Sequence, residues 1–190
     1  MKIGILGGTF NPIHIGHLIL AQECWYAFGL EKVFFVPAYL PPHKHIEGEI
    51  PVSDRLNMVR LALEGDERFG ISTFEIDKAG ISYSIDTVRY FRAEYGEKAE
   101  LYFLTGGDSA VELSNWKDPD KMVSEARFVI ATRPGWKIEG SYAEKVEKLE
   151  IPAIDISSSD VRSRIKERRP IDHLVPSRVV RYIRDKGLYR

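Results

Sequence analysis

Two histidines three positions apart follow a pair of glycines in the run Gly7-Gly8-Thr9-Phe10-Asn11-Pro12-Ile13-His14-Ile15-Gly16-His17. On the first turn of a helix, the spacing of His14 and His17 puts both imidazoles on one side. Glycines ahead of a helix let the backbone come close to a ligand, and the helix N-terminus offers free N–H groups and a positive dipole. Such a set suits a phosphate. The N–H groups cradle its oxygens, while the imidazoles donate to them and offset charge that develops there. Gly16 leaves room for a base or ribose to press against the backbone. Two other uses of the same residues stay open. A His pair at this spacing can ligate zinc, although Ile15 and Gly16 stand where a zincin has its glutamate, and the pair can also simply cap a helix. Neither the dinucleotide fingerprint nor the P-loop is present: the third spaced glycine of one and the Gly-Lys-Ser/Thr of the other are missing.

A phosphate site of this kind needs a strand before it and a helix after it. Ile3 to Leu6 reads as that strand, and Val33 to Val36, Ile71 to Phe74, Leu101 to Leu104, Phe128 to Ala131 and Ala153 to Ile156 read as five more. Between them lie helical patterns: His17 to Phe28, Asp54 to Leu63 after a Ser53 cap, Ile85 to Tyr95, Val161 to Ile165 and Arg178 to Ile183. This alternation predicts an α/β fold, a Rossmann-like doubly wound parallel sheet with helices on both faces. It predicts a single domain over residues 1–190, with a C-terminal helical portion from about residue 157 to 190. Ligands in such sheets bind beyond the carboxyl ends of the strands, at the switch point of strand order. The Pro-rich loop from Ala38 to Pro51 is long enough to be a functional flap.

Composition narrows the classes. A hydrophobic fraction of 44% and a formal net charge of -1 fit a globular protein and offer no bulk attraction to polyanions. Ten Lys or Arg against three Asp or Glu from Arg162 onward form a basic end, but Tyr182 and Tyr189 are its only aromatics, too few for a nucleic-acid stacking platform. Cys24 is the only cysteine, so no intrachain disulfide forms, and it reads as a structural thiol. No signal peptide and no apolar run of about 18 residues appears, so a cytoplasmic setting without membrane contact is expected.

The His-x-Gly-His element, with its Gly-Gly opening and Phe-x-Pro, resembles the nucleotidylyltransferase signature. The resemblance implies that Gly7, Gly8, Thr9 and Phe10 line an ATP site and that His14 and His17 hold the triphosphate. Other stretches resemble one branch, the bacterial nicotinate mononucleotide adenylyltransferases. Pro41-Pro42-His43-Lys44 resembles a loop whose lysine, here Lys44, closes over phosphates. Ser82-Tyr83-Ser84-Ile85-Asp86-Thr87 resembles the segment that meets the pyridine ring, which implies carboxylate contacts at Thr87. Thr105-Gly106-Gly107-Asp108 implies ribose contacts at Gly106 and Asp108, Trp116 implies stacking on the pyridine, and Arg133 implies a place near the mononucleotide. Trp116 has polar neighbours, Asn115, Lys117 and Asp118, which suits a ring exposed for a ligand. Ser157 and Ser158 at a helix start, with Arg162 one turn inside, read as a second anion site or as an ordinary serine cap.

The activity this implies is transfer of AMP from ATP to nicotinate mononucleotide, giving deamido-NAD and pyrophosphate. A phosphate oxygen attacks the α-phosphorus in line, and no covalent enzyme intermediate is needed because the nucleophile is already an anion. His14, His17, Lys44 and Arg162 supply positive donors, and Mg2+ arrives with ATP. No nucleic-acid partner is implied; a homo-oligomer is compatible. The alternatives are a preference for the amide mononucleotide and a non-catalytic nucleotide sensor. Asn11 stands where the branch usually has aspartate, and Lys117 where a tyrosine is common.

Overall fold

In the computed structural model, residues 1–42, 50–107, 113–132, 135, 141–152 and 154–190 are described. Six strands form one sheet: β1 Lys2–Gly8, β2 Lys32–Pro37, β3 Phe69–Ile71, β4 Glu100–Gly106, β5 Arg127–Thr132 and β6 Glu147–Glu150. Every pairing is parallel, in the order β3-β2-β1-β4-β5-β6. The switch point lies between β1 and β4, where the chain turns from building one half of the sheet to the other.

Strand alternation distributes the core over both faces. Leu6, Tyr102, Leu104, Val129 and Ala131 point to one face, and Ile3, Ile5, Leu101, Phe103, Phe128 and Ile130 to the other. The first face is covered by α1 Ile15–Phe28, α2 Val52–Leu63, α6 Ser158–Lys166 and α7 Ser177–Lys186. The second is covered by α4 Ser84–Tyr95 and α5 Pro119–Glu125; a short α3, Phe74–Lys78, precedes α4. Cys24 is fully buried on α1, and burial together with Glu23 pushes its thiol up to about 12, which makes it inert packing. Among the described residues no helix is long and apolar enough to cross a membrane.

Two strand expectations are corrected. The third strand ends at Ile71, and Phe74 opens α3 instead of closing a strand. The sixth strand is Glu147–Glu150, not Ala153 to Ile156. Among the described residues it pairs only with β5, and it alternates half-buried and exposed positions, so an edge strand with three charged residues carries no apolar run to betray it. The helix beginning at Val52 takes Pro51 as its N-cap, not Ser53.

Candidate active site

β1 delivers Gly7 and Gly8 to the switch point. A Cβ on Gly8 would lie 2.9 Å from the Phe10 ring, so glycine is what allows Phe10 to fold back over the strand end. Phe10 has a left-handed φ of 48°, which costs a residue with a Cβ about 1–2 kcal/mol. Burial of its ring against Phe35 and His17 offsets that cost.

His14 is the N-cap of α1, and its backbone N–H donates to His17 Nδ1 at 3.1 Å. A ring whose Nδ1 accepts carries its proton on Nε2, so His17 is held in the tautomer that donates from the opposite side of the ring. The two imidazoles stack with centroids 3.7 Å apart. Two cations at that distance would repel, and burial already holds His14 down, from 6.5 to about 4. Burial therefore favours the neutral imidazole at His14, against the expectation of a positive donor there, because desolvation disfavours the charged form. Gly16 lets the His14 ring sit there, since a Cβ would come within 3.1 Å of it. The room this glycine leaves is thus taken partly by His14, not by a ligand alone.

The second anion element reaches the same loop. Ser157 caps α6, its Oγ accepting from the Asp160 N–H at 3.0 Å. Ser158 Oγ donates to the Pro12 carbonyl at 2.9 Å, and Arg162 Nη1 to the Asn11 carbonyl at 2.9 Å. Arg162 Nη2 also donates to Ser159 Oγ at 3.1 Å. The cap and the arginine are therefore both real, and the first-turn N–H groups of α6 remain donors without an intrahelical acceptor.

One cavity meets this segment at Gly7, Gly8 and Thr9, and a second meets it at Gly16. The first, about 160 Å³, is lined by Gly7, Gly8 and Thr9 on one side and by Ser84, Trp116 and Lys117 on the other. Trp116 packs its ring against Phe103 and Phe128 at 5.8 and 5.6 Å between centroids, and it also lines the cavity. It is half-buried, so the expectation of an exposed ring is corrected: it serves the core on one side and lines the cavity on the other. Lys117 Nζ lies over the Tyr83 ring at 4.3 Å and 3.9 Å from Asp86 Oδ1. The second cavity, about 120 Å³, is lined by Gly16, Leu20, Gly106, Thr132, Ile151 and Ile154, mostly apolar walls that suit a flat base.

Thr87 is placed elsewhere than expected. It is fully buried, does not line the cavity, and donates through Oγ1 to Glu75 Oε1 at 2.5 Å. One turn into α4 its side chain faces the core, whereas Ser84 at the helix start faces the cavity. Glu75 itself lines the cavity, and burial raises its pKa against the lowering effect of its bonds from Thr87 and Ser82. Lys44, Asp108 and Arg133 lie outside the described residues.

Sequence reasoning also missed Arg55. On α2 and 1% exposed, it donates to the Thr9 carbonyl at 2.6 Å and the Tyr39 carbonyl at 3.1 Å. It thereby ties the phosphate loop to the loop after β2, while the Tyr39 N–H donates to Ser82 Oγ at 2.9 Å. No local pattern marks it, because an arginine beside Asp54 on an amphipathic helix reads as a surface charge. Ser84 carried a usable signal, a hydroxyl at a helix start inside a segment already singled out.

The comparisons with known proteins agree with this geometry. The Cytidylyltransferase-like family profile matches residues 5–164. A protein of Moorella thermoacetica named "Probable nicotinate-nucleotide adenylyltransferase" is 44% identical, the match covering 100% of this chain and 92% of that protein. One of the same name from a Thermoanaerobacter species is 42% identical over 100% of this chain and 95% of its own. Among solved structures, the Plasmodium falciparum nicotinic acid mononucleotide adenylyltransferase complexed with NaAD superposes with a TM-score of 0.79 at 22% identity, covering 99% and 97% of the two chains, a likeness of fold. With a glycine-bearing loop from strand to helix at the switch point, two cavities beside it and full-length relatives at these identities, the chain belongs to the cytidylyltransferase-like family, among its nicotinate-nucleotide adenylyltransferases.

Proposed function

We propose that this protein transfers AMP from Mg-ATP to nicotinate mononucleotide. The observation that carries the reading is the stacked His14–His17 pair at the start of α1, on a segment whose Gly7, Gly8 and Thr9 line one cavity and whose Gly16 lines another, at the switch point of the sheet. The first cavity receives the pyridine nucleotide, with Trp116 against the ring and Ser84 and the start of α4 offering donors to its carboxylate. The second receives the adenosine, against Gly106 and the apolar ends of β5 and β6. The triphosphate then crosses the N-terminus of α1.

A mononucleotide phosphate oxygen forms a bond to the α-phosphorus of ATP as the bond to the bridging oxygen breaks. Pyrophosphate leaves with that electron pair, and no proton need move. Catalysis is positioning plus stabilisation of charge on the phosphate oxygens. His17 donates through Nε2–H, His14 as a neutral donor, and Arg162 with the open N–H groups of α6 from the other side. Gly7, Gly8, Thr9 and Phe10 shape the loop, Ser157 and Ser158 hold α6 against it, and Lys44, Asp108 and Arg133 keep the roles the family implies. Mg2+ enters as part of the substrate Mg-ATP, its charge shared among the phosphate oxygens.

Pyrophosphate release measured with Mg-ATP and each of nicotinate and nicotinamide mononucleotide tests the proposal. Turnover with the acid at lower KM than the amide is expected. Absence of turnover with either would overturn it.

A further inference from the structure

The phosphate loop is held from the far end of the chain. α7 ends at Lys186, and Gly187 and Tyr189 both take left-handed φ values, 63° and 65°. These two reversals turn the chain back, with the Leu188 N–H donating to the Ile183 carbonyl at 3.0 Å, so that the Tyr189 ring enters the core layer occupied by Leu6, Phe10 and Ile13. Its hydroxyl donates to Asn11 Oδ1 at 2.7 Å, a buried bond between residues 178 positions apart. Asn11, 2% exposed, is gripped a second time when its own carbonyl accepts from Arg162. Ser158 on Pro12 and the Leu174 carbonyl, which accepts from the Ile15 N–H at 2.9 Å, complete the set.

A phenylalanine at position 189 would fill the same space, so packing alone does not call for the hydroxyl. What the hydroxyl adds is direction. Asn11 has its side chain fixed by Tyr189 and its carbonyl fixed by Arg162, the residue the proposed chemistry aims at the triphosphate. Burial pushes the phenol up, so it stays a neutral donor across the working pH range. The side chain it holds sits three residues before His14, at the point where the loop turns into α1.

We propose that Tyr189 is a positioning residue for the ATP side of the site: through Asn11 it sets where the loop presents His14 and His17 and where the Asn11 carbonyl holds Arg162. The inference rests on the adenylyl-transfer reading. Displacement of about 1 Å at reacting groups costs up to ~10²-fold in rate, and loss of one of several loop contacts should cost a part of that. Tyr189→Phe is therefore expected to lower kcat/KM for ATP by about 10-fold, with the KM for nicotinate mononucleotide within about twofold of wild type.

Asn11→Ala removes the same bond from its other end and serves if Tyr189→Phe folds poorly. In the double variant the losses should not add, because both substitutions break one interaction. Equilibrium ATP binding by calorimetry on the same proteins reads positioning without turnover. If wild type releases no pyrophosphate, the functional reading fails, while weakened ATP binding in the variants still supports Tyr189. If Tyr189→Phe and Asn11→Ala lower the melting temperature but bind and use ATP as wild type does well below it, Tyr189 is only a packing residue and the proposal is overturned. Equal loss for both substrates, or fully additive losses in the double variant, overturns it as well.

Discussion

Replacing His17 by asparagine and by glutamine separates two jobs that one ring performs. Nδ1 accepts the His14 backbone N–H at 3.1 Å, which satisfies an orphan donor at the start of α1. Nε2–H, on the opposite side of the ring, is the group proposed to donate to a phosphate oxygen. Asparagine sets an acceptor near the Nδ1 position but cannot reach as far as Nε2; glutamine reaches further but vacates the cap. Loss of a helix cap costs about 1 kcal/mol, or about 2–4 °C in melting temperature for a chain of this size. Loss of one donor to developing charge costs about 10²–10³-fold in kcat. His17→Asn should therefore melt close to wild type yet lose about 10²-fold in kcat with little change in KM, the pattern of an interaction made in the transition state. His17→Gln should melt lower and keep more activity than His17→Asn. Both are read by urea or thermal unfolding beside steady-state pyrophosphate release. A His17→Asn enzyme with near-normal kcat would refute the assignment of the Nε2 donor, and a His17→Gln enzyme that melts like wild type would refute the cap.

Acid should destabilise the protein through His14: its pKa falls from 6.5 unfolded to about 4 folded, so the unfolded chain takes the proton first. Stability is kept above pH 6.5 and lost as pH falls toward 4, by up to about 3 kcal/mol; the unfolding free energy of wild type relative to His14→Gln, from urea titrations between pH 7 and 4, should fall by about that amount. Arg162→Ala should raise the KM for ATP and leave that for the mononucleotide unmoved, with a melting temperature lower by only a few degrees for two lost hydrogen bonds, each worth about 1 kcal/mol; normal ATP kinetics would make Arg162 structural. Trp116→Ala should weaken acid and amide mononucleotides alike and spare ATP, because a flat ring face does not distinguish their substituents; its contacts with Phe103 and Phe128 add a stability loss of about 2–3 kcal/mol. An unchanged mononucleotide KM in that variant would remove the stacking role.

What could be read along the chain is whatever is decided within a turn or two. Short continuous apolar runs mark β1, β2, β4 and β5 because each is buried on both faces of a parallel sheet, which leaves no polar face to alternate with. The glycine pair, the helix start and the three-residue step from His14 to His17 are set by local geometry, so the position of the loop between β1 and α1 is legible before any fold is known. Glu147–Glu150 escaped because a strand with one neighbour can be built from charged residues. Thr87 and Ser84 are both hydroxyls near one helix start, and only the packing of α4 on the sheet decides that one meets Glu75 and the other the cavity. Arg55 reaches Thr9 across 46 positions, Arg162 reaches Asn11 across 151, and Tyr189 reaches it across 178. Such partners belong to the order in which the strands are laid down and the helices return over them. A side chain's own neighbours in sequence hold no record of which distant carbonyl the closed fold will bring within hydrogen-bond reach.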